Sequence, residues 1–384
     1  MLQLGITGRD RIVASGPSTN DILRRGSYGE PSPDGLRLST EEALYLIDMR
    51  HAVLVSGKKE IGFSALASRF SKANKFMARY FTYKDWRDRG LTAIPANRGN
   101  EKSHPLRPKS YPAAAFKLPK QKLRGVFFHN DLVTVLDDAE KGRQLYERFW
   151  LGQYGSYKAA DRGSLSKLDV FETLLLIDSG TLSLENSTRE PLVKQATERR
   201  ADFLGLYEVY KDWREKGYVI KTGFKFGTHF RVYFPGARPM ETGGVQTHSK
   251  HVIQVFPKSS KMLISEWARA IRVAHSVRKT LILAVPGKTV AGKAGIDFVL
   301  YHRHGGEADV PGRNPPSFAM LSMSEEEYIG GQEFSNAINE AKRRGLELLL
   351  AIADRETAVT YYKVKQITLP GSTNDYFEID WMQP

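Results

Sequence analysis

The sequence predicts an α+β chain of several units, with helical modules toward the N-terminus and mixed-sheet α/β units after them. Three observations predict it. A turn–helix–helix pattern occurs twice, in the same order and at a near-constant offset. A helix running into an apolar strand occurs twice in the C-terminal half. The chain has 384 residues, 41% hydrophobic and 11% aromatic, enough for two or three packed domains.

The first repeat has three landmarks. Gly26-Ser27-Tyr28-Gly29 and Gly152-Gln153-Tyr154-Gly155 read as turns. Ser39-Thr40-Glu41-Glu42 spells a capping box ahead of Ala43–Asp48, and Ser166-Lys167-Leu168-Asp169 predicts the same device ahead of Phe171–Asp178, with Gly180 as the stop. Tyr83 leads KDWRDRG (84–90) and Tyr210 leads KDWREKG (211–217), with aromatic residues at helical spacing before a Gly. Shared order and offset mark a duplicated module of strand, turn, amphipathic helix and second helix. The first copy is expected to end after Gly90. Residues 92–122 carry Pro95, Pro105, Pro108, Pro112 and Pro119 among many Lys and Arg, which predicts an extended polar tether. The second copy opens near Lys122 with the β-type run LRGVFFHNDLVTVLD.

The second repeat is of β–β–α–β type. FRVY ends at Tyr233, HVIQVF spans 251–256, and RVAHSVRKTLILAV spans 272–285. In parallel, DFVLY ends at Tyr301, SFAMLSM spans 317–323 and NEAKRRGLELLLAI spans 339–352. DFVLYHRH also reads as a closing strand of the preceding unit, and the sequence does not choose. VTYYKVKQI and DYFEIDW, near the end, read as edge strands suited to subunit pairing. One β–β–α–β copy places Tyr233, His248 and Lys279 at element ends, where side chains converge without loss of core packing; the other has Ser317 or a neighbour opposite the His and Leu346 or Glu347 opposite the Lys. Spacing alone does not make these three a site. A strand-terminal Tyr ordinarily sits at an interface, and a Lys after a helix faces its dipole.

Composition narrows the partners. The formal charge of +14 raises the prospect of a polyanion, most simply nucleic acid. There is no cysteine, which excludes disulfides, thiolate catalysis and thiolate zinc sites. MLQLGITGRDRIV has charges inside its apolar run, unlike a signal peptide, and no stretch approaches the roughly 20 apolar residues of a membrane span. The expectation is a soluble, cytoplasmic protein.

KGYVIKTGFKFGTHFRVY (216–233), THSKHVIQVF (247–256) and RVAHSVRKTLILAV (272–285) together resemble the signature region of the tRNA-splicing endonucleases, and the three-unit layout looks like the archaeal homodimeric form. The resemblance implies mixed-sheet nuclease units, one active and one degenerate. It divides the chain into a non-catalytic N-terminal half-module (1–91), a Pro/Lys-rich linker (92–122), the N-terminal part of the catalytic module (123–205), the catalytic unit (206–295) and a degenerate structural and dimerisation unit (296–384). It implies a catalytic trio of Tyr233, His248 and Lys279, working without metal or other cofactor on the bulge–helix–bulge of precursor tRNA.

The chemistry suits that trio. RNA supplies its own nucleophile, the 2′-hydroxyl, so a base, an acid and a cation suffice. Tyr233 would take the 2′-hydroxyl proton; a free phenol ionises near 10, and Lys279 is the cation expected to lower it. His248 would protonate the departing 5′-oxygen, a task an imidazolium is suited to. Lys279 would also stabilise the extra negative charge of the phosphorane-like transition state. The products would be a 2′,3′-cyclic phosphate and a 5′-hydroxyl. His251 is the rival acid, but the family's His-Ser-x-aromatic pattern leaves it at the aromatic place. His229 and His275 are expected to be structural or to contact RNA.

The resemblance also implies a pair of cations trapping a bulge base, matched by Arg272 and, less directly, Arg303. The loop 155–167 offers Lys158 and Arg162 to an RNA backbone. A homodimer is implied, with Glu307 and Asp309 of His304–Gly312 entering a basic cleft on the partner. Two other readings compete. A restriction-type metal nuclease needs Asp on one strand and Glu-x-Lys on the next, yet Glu340-Ala341-Lys342 sits in a helical pattern. The other is a catalytically silent RNA-binding scaffold. A zinc site from His248 and His251 lacks a third ligand nearby in sequence.

Overall fold

The computed structural model describes residues 2–8, 11–98, 107–118, 121–157, 159–240, 247–287 and 295–384. Its centre is an eleven-stranded mixed sheet that reads the same from both ends. From one edge the order is Val219–Thr222, Phe230–Tyr233, His251–Val255, Thr280–Val285 and Asp375–Met382. From the other it is Ala93–Pro95, Phe298–Leu300, Phe318–Ser324, Glu347–Ala353 and Val359–Thr368. Each half runs antiparallel, antiparallel, parallel, antiparallel in turn. The halves meet where Asp375–Met382 pairs antiparallel with Val359–Thr368, Val364 opposite Ile379.

The parallel pair in each half needs a crossover, and a helix supplies it. Ile264–Ser276 connects one pair and Gly331–Arg343 the other, each following a short strand, Lys261–Leu263 or Tyr328–Gly330, that pairs with its counterpart. The two helices lie on the same sheet face over a shared core in which the Trp267 ring stands 5.8 Å from Phe334 and 5.6 Å from Tyr362. Both β–β–α–β units therefore stand, and Phe298–Leu300 opens the second of them rather than closing the first.

The opposite face is covered by the duplicated modules, one per half. Phe203–Glu215 packs with Val232, Ile253 and Ile282 in one core, and Phe76–Asp88 packs with Met320, Leu349 and Tyr361 in the other. The twin motifs end these helices alike: Trp86 and Trp213 are fully buried, and Gly90 and Gly217 follow at φ 76° and 86°, a conformation that favours glycine. Each module also carries a sheet of its own, six strands in the first and five in the second, more strand than the single one expected beside its helices.

Several expectations change in detail. Ser166 does not cap the second-module helix. Ser166–Asp169 is a strand paired to Val133–Leu136, with Ser166 and Leu168 buried and Lys167 exposed, and Asp169 is the cap, forming a capping box with Glu172. The turns also align differently. Gly29 and Gly152 both donate their amide to the buried capping-box glutamate, Glu42 or Glu172, at 3.0 and 2.9 Å. VTYYKVKQI and DYFEIDW are the two central strands of the large sheet, because their buried apolar residues face cores on both sides.

The first module does not stop at Gly90. It continues into Ala93–Pro95, which holds the sheet position that the basic Val219–Thr222 holds in the other half. The stretch beyond is pinned as well: Lys109–Ser110 pairs with Val359–Thr368, and Tyr111 is only 2% exposed. Its ring lies 5.9 Å from Trp213, 5.6 Å from Phe234 and 5.8 Å from His251, and its hydroxyl donates to Glu378. An aromatic residue with buried partners on this scale is packed, not tethering. Tyr111→Ala is expected to cost about 3–5 kcal/mol in chemical denaturation, as other large aromatic truncations do. A loss below about 0.5 kcal/mol, the size of an ordinary surface change, would restore the tether reading.

Candidate active site

Strand polarity gathers the expected site. Phe230–Tyr233 is antiparallel to His251–Val255, so its C-terminal end, with Val232 opposite His251, lies beside that strand's start. His251–Val255 is parallel to Thr280–Val285, His251 opposite Thr280, so both strands start at that same edge. Tyr233 ends the first strand, His248 lies three residues before the second, and Lys279 lies one residue before the third. Three residues far apart in sequence thus meet at one rim of the sheet.

Tyr233 is 4% exposed. Its ring lies 4.5 Å from Trp150, which belongs to the second module and ends its helix with a positive φ of 48°. His248 is exposed and lines, with Tyr233, a cavity of about 710 Å³ walled by Val232–Arg238, Thr247, Lys250 and His251. Lys279 donates its ammonium to the Ser249 carbonyl and lies 4.9 Å from the Phe226 ring centre. Ser249 thus stands between the three, its carbonyl on Lys279, its hydroxyl acting on the Tyr233 phenol, and His248 its chain neighbour. Lys279 follows Arg278, at φ 54°, where the other half uses Gly345 at φ 71° for the same turn; Lys279 and Leu346 make equivalent amide bonds back to Ala274 and Ala341. A non-glycine residue in that region is held at a cost.

Burial pushes the Tyr233 phenol above its ordinary value, and the Arg231 guanidinium opposes that rise. Arg231, not the expected Lys279, is the cation named by the surroundings of the phenol. Lys279 itself is lowered by burial and then by the charge of Arg231. Arg231 belongs to no motif of its own, and its one sequence signal is its place two residues before Tyr233 on a strand, which puts both on one face.

His251 is not placed like His248. It starts a strand, packs 5.4 Å from Phe234, and its Nε2 faces buried Glu378 at 3.9 Å. Burial lowers it to about 4. His229 is also lowered to about 4 by burial, and its Nδ1 accepts from the Val255 amide at 2.9 Å, a structural role.

The remaining candidates are dispersed. Arg272 is exposed on the crossover helix and acts on the Tyr362 phenol. Arg303 belongs to the other half, where its guanidinium donates to the Arg89 carbonyl at 2.6 Å. In the hairpin of Arg303–His304 and Glu307–Ala308, Glu307 is exposed, but Asp309 is 3% exposed and bonded to His304 at 2.6 Å, so of the two expected carboxylates Glu307 faces solvent and Asp309 is turned inward. Lys158 lies outside the described residues. Among the described residues no group of three or more His, Asp or Glu could hold a metal ion. The matching rim of the other half carries Tyr301 in place of Tyr233, fully buried with its carbonyl accepting from the Trp86 indole, and Leu346 in place of Lys279.

Because both imidazoles stay neutral when folded while the unfolded chain takes up protons near 6.5, stability falls as pH drops from about 6.5 to about 4. Proton NMR of the folded chain is expected to give His251 and His229 midpoints near 4. A midpoint for His251 near the free-imidazole value would show it open to solvent and revive it as the acid.

Residues 203–291 match the family of the tRNA intron endonuclease catalytic C-terminal domain, and residues 5–67 match the tRNA intron endonuclease N-terminal domain. A tRNA-splicing endonuclease of Methanosarcina mazei is 28% identical over 72% of this chain and 93% of its own. One of Methanopyrus kandleri is 38% identical over 34% of this chain and 71% of its own. One of Pyrobaculum arsenaticum is 31% identical over 42% of this chain and 90% of its own. With two domain families in place on one chain and relatives covered over most of their length, this chain belongs to the tRNA-splicing endonuclease family.

Proposed function

We propose that this chain cuts precursor tRNA at intron junctions by metal-independent transesterification, at the bulge–helix–bulge. The observation that supports it most is the meeting of Tyr233, His248 and Lys279 at one sheet edge, beside an open cavity, in a chain of this family. Tyr233 removes the 2′-hydroxyl proton as the 2′-oxygen attacks phosphorus. The P–O5′ bond breaks, and His248 gives its proton to the leaving oxygen. Lys279 offsets the negative charge gathering on the phosphoryl oxygens. No water is consumed, so the ends are a 2′,3′-cyclic phosphate and a 5′-hydroxyl.

Arg272, Arg303 and Lys158 hold the RNA in this reading, the first two against an unpaired base. Two chains assemble as a homodimer, since a bulge–helix–bulge has two cuts and each chain carries one such trio. Glu307 reaches toward the partner. The setting is cytoplasmic; among the described residues no helix is long and apolar enough to cross a membrane.

Incubation of the purified chain with an intron-containing precursor tRNA in EDTA is expected to release exons with cyclic-phosphate ends. Tyr233→Phe, His248→Ala and Lys279→Ala are each expected to slow single-turnover cleavage by roughly 10²–10⁴-fold. Cleavage abolished by EDTA, or three variants cutting at the wild-type rate, would overturn the reading.

A further inference from the structure

Arg231 sits on the strand that carries Tyr233. It lies opposite Val252, which lies opposite Leu281, so all three share the face of the sheet that carries the crossover helices. Tyr233, two residues on, falls on the same face. The Arg231 guanidinium carbon is 5.8 Å from the Tyr233 ring centre, and both residues line a small cavity with Trp150, Tyr157 and Thr247. Arg231 Nε is buried without a hydrogen-bond partner. No carboxylate is paired with it among the described ion pairs, whereas Lys221, its cross-strand neighbour, is held by Glu172 at 2.6 Å. Arg231 is half-buried, and a cation partly withdrawn from water without a counter-charge favours a nearby group that can share or take up its charge.

Resting on the reading given under the proposed function, we propose that Arg231 is a positioning residue for Tyr233: its guanidinium holds the phenol oxygen and supplies the counter-charge when that oxygen becomes the base. The groups facing the phenol leave Arg231 that role. Tyr157, from the loop of the second module, opposes ionisation, and Tyr146 shares the small cavity. Ser249 offers its hydroxyl. His248 and Lys250 line the larger cavity, and the Lys279 ammonium is directed to the Ser249 carbonyl. The Trp150 ring, 4.5 Å away, and the Arg231 guanidinium, 5.8 Å away, both pack on the Tyr233 ring and restrict the phenol. Burial alone would keep this tyrosine protonated, and Arg231 is the strongest opposing influence.

The role has a kinetic signature. With a phenolate base and an imidazolium acid, the pH–rate plateau between their ionisations falls about tenfold for each unit by which the phenol is raised, and the alkaline limb moves up with it. Single-turnover cleavage of precursor tRNA in EDTA, from pH 5 to pH 10, is compared for wild type, Arg231→Gln, Arg231→Lys, Tyr233→Phe and the Arg231→Gln/Tyr233→Phe double variant. The expected result is a plateau lowered by about tenfold or more in Arg231→Gln with KM little changed, recovery of most of that loss in Arg231→Lys, and no further loss from Arg231→Gln once Tyr233 is Phe. Equal losses in both backgrounds, or a rise in KM alone, would make Arg231 a direct RNA contact and overturn the proposal. Loss of folding in Arg231→Gln, read by circular dichroism, leaves the decision to Arg231→Lys: a folded Lys variant as slow as Tyr233→Phe, with an unmoved alkaline limb, also overturns it. A wild type that does not cut, or a Tyr233→Phe that cuts normally, instead sinks the underlying assignment of Tyr233 as base.

Discussion

The relative direction of three neighbouring strands is the constraint on which the candidate site depends. Phe230–Tyr233 must run against His251–Val255, and Thr280–Val285 must run with it, or Tyr233, His248 and Lys279 would not share an edge. The parallel pairing is the demanding part, because a parallel neighbour requires a crossover, and the helix Ile264–Ser276 is that crossover. Its apolar face, through Ile264, Trp267, Ile271 and Ala274, is buried in the shared core, so the helix that sets the strand direction is itself held by the second half of the molecule.

That second half supplies a mirror of the first without the polar rim. Where Lys279 stands, Leu346 closes the turn, and Tyr301, in the place of Tyr233, is buried in the core under the crossover helices while its carbonyl accepts from the Trp86 indole. The duplicated modules are not mere flanks. Each cements its capping-box glutamate to a cation that follows the sheet's edge strand or lies within it: Glu172 with Lys221 at 2.6 Å, Glu42 with Arg98 at 2.7 Å. These pairs lie almost wholly out of solvent, where removal of one partner leaves an uncompensated charge. The second module goes further and places Trp150 against the Tyr233 ring. The two edge strands differ in charge: Val219–Thr222 carries Lys221, whereas its counterpart Ala93–Pro95 carries no cation.

Much of this was legible in the residues. The twin KDWR motifs and the two helix-to-strand runs each survive in the structure as the elements they suggested, and Tyr233, His248 and Lys279 lie at or just beyond strand ends. What was not legible shares a cause: it depends on partners distant in sequence. VTYYKVKQI reads as an edge because its polar residues alternate, yet Lys363 and Lys365 reach Glu347 and Asp380 on neighbouring strands, while Tyr362 and Val364 fill the core. Tyr111 looks like part of a proline-rich tether until Trp213, Phe234 and His251 surround it. Ser166 spells a cap by local pattern, but pairing with the strand Val133–Leu136 claims it first. Arg231 was visible in the sequence, and only the burial of its neighbour Tyr233 gives its charge a purpose.

The proposed cleavage requires one phosphodiester to be reached by three side chains from one sheet edge. The most direct measurement is a crystal structure of the chain bound to a precursor tRNA whose attacking 2′-hydroxyl is replaced by hydrogen, so that the uncut junction persists. The scissile phosphate is expected in the cavity bounded by Tyr233 and His248, with the Lys279 ammonium turned from the Ser249 carbonyl toward a phosphoryl oxygen. A junction phosphate seated on another surface, with these three side chains facing no RNA, would contradict it.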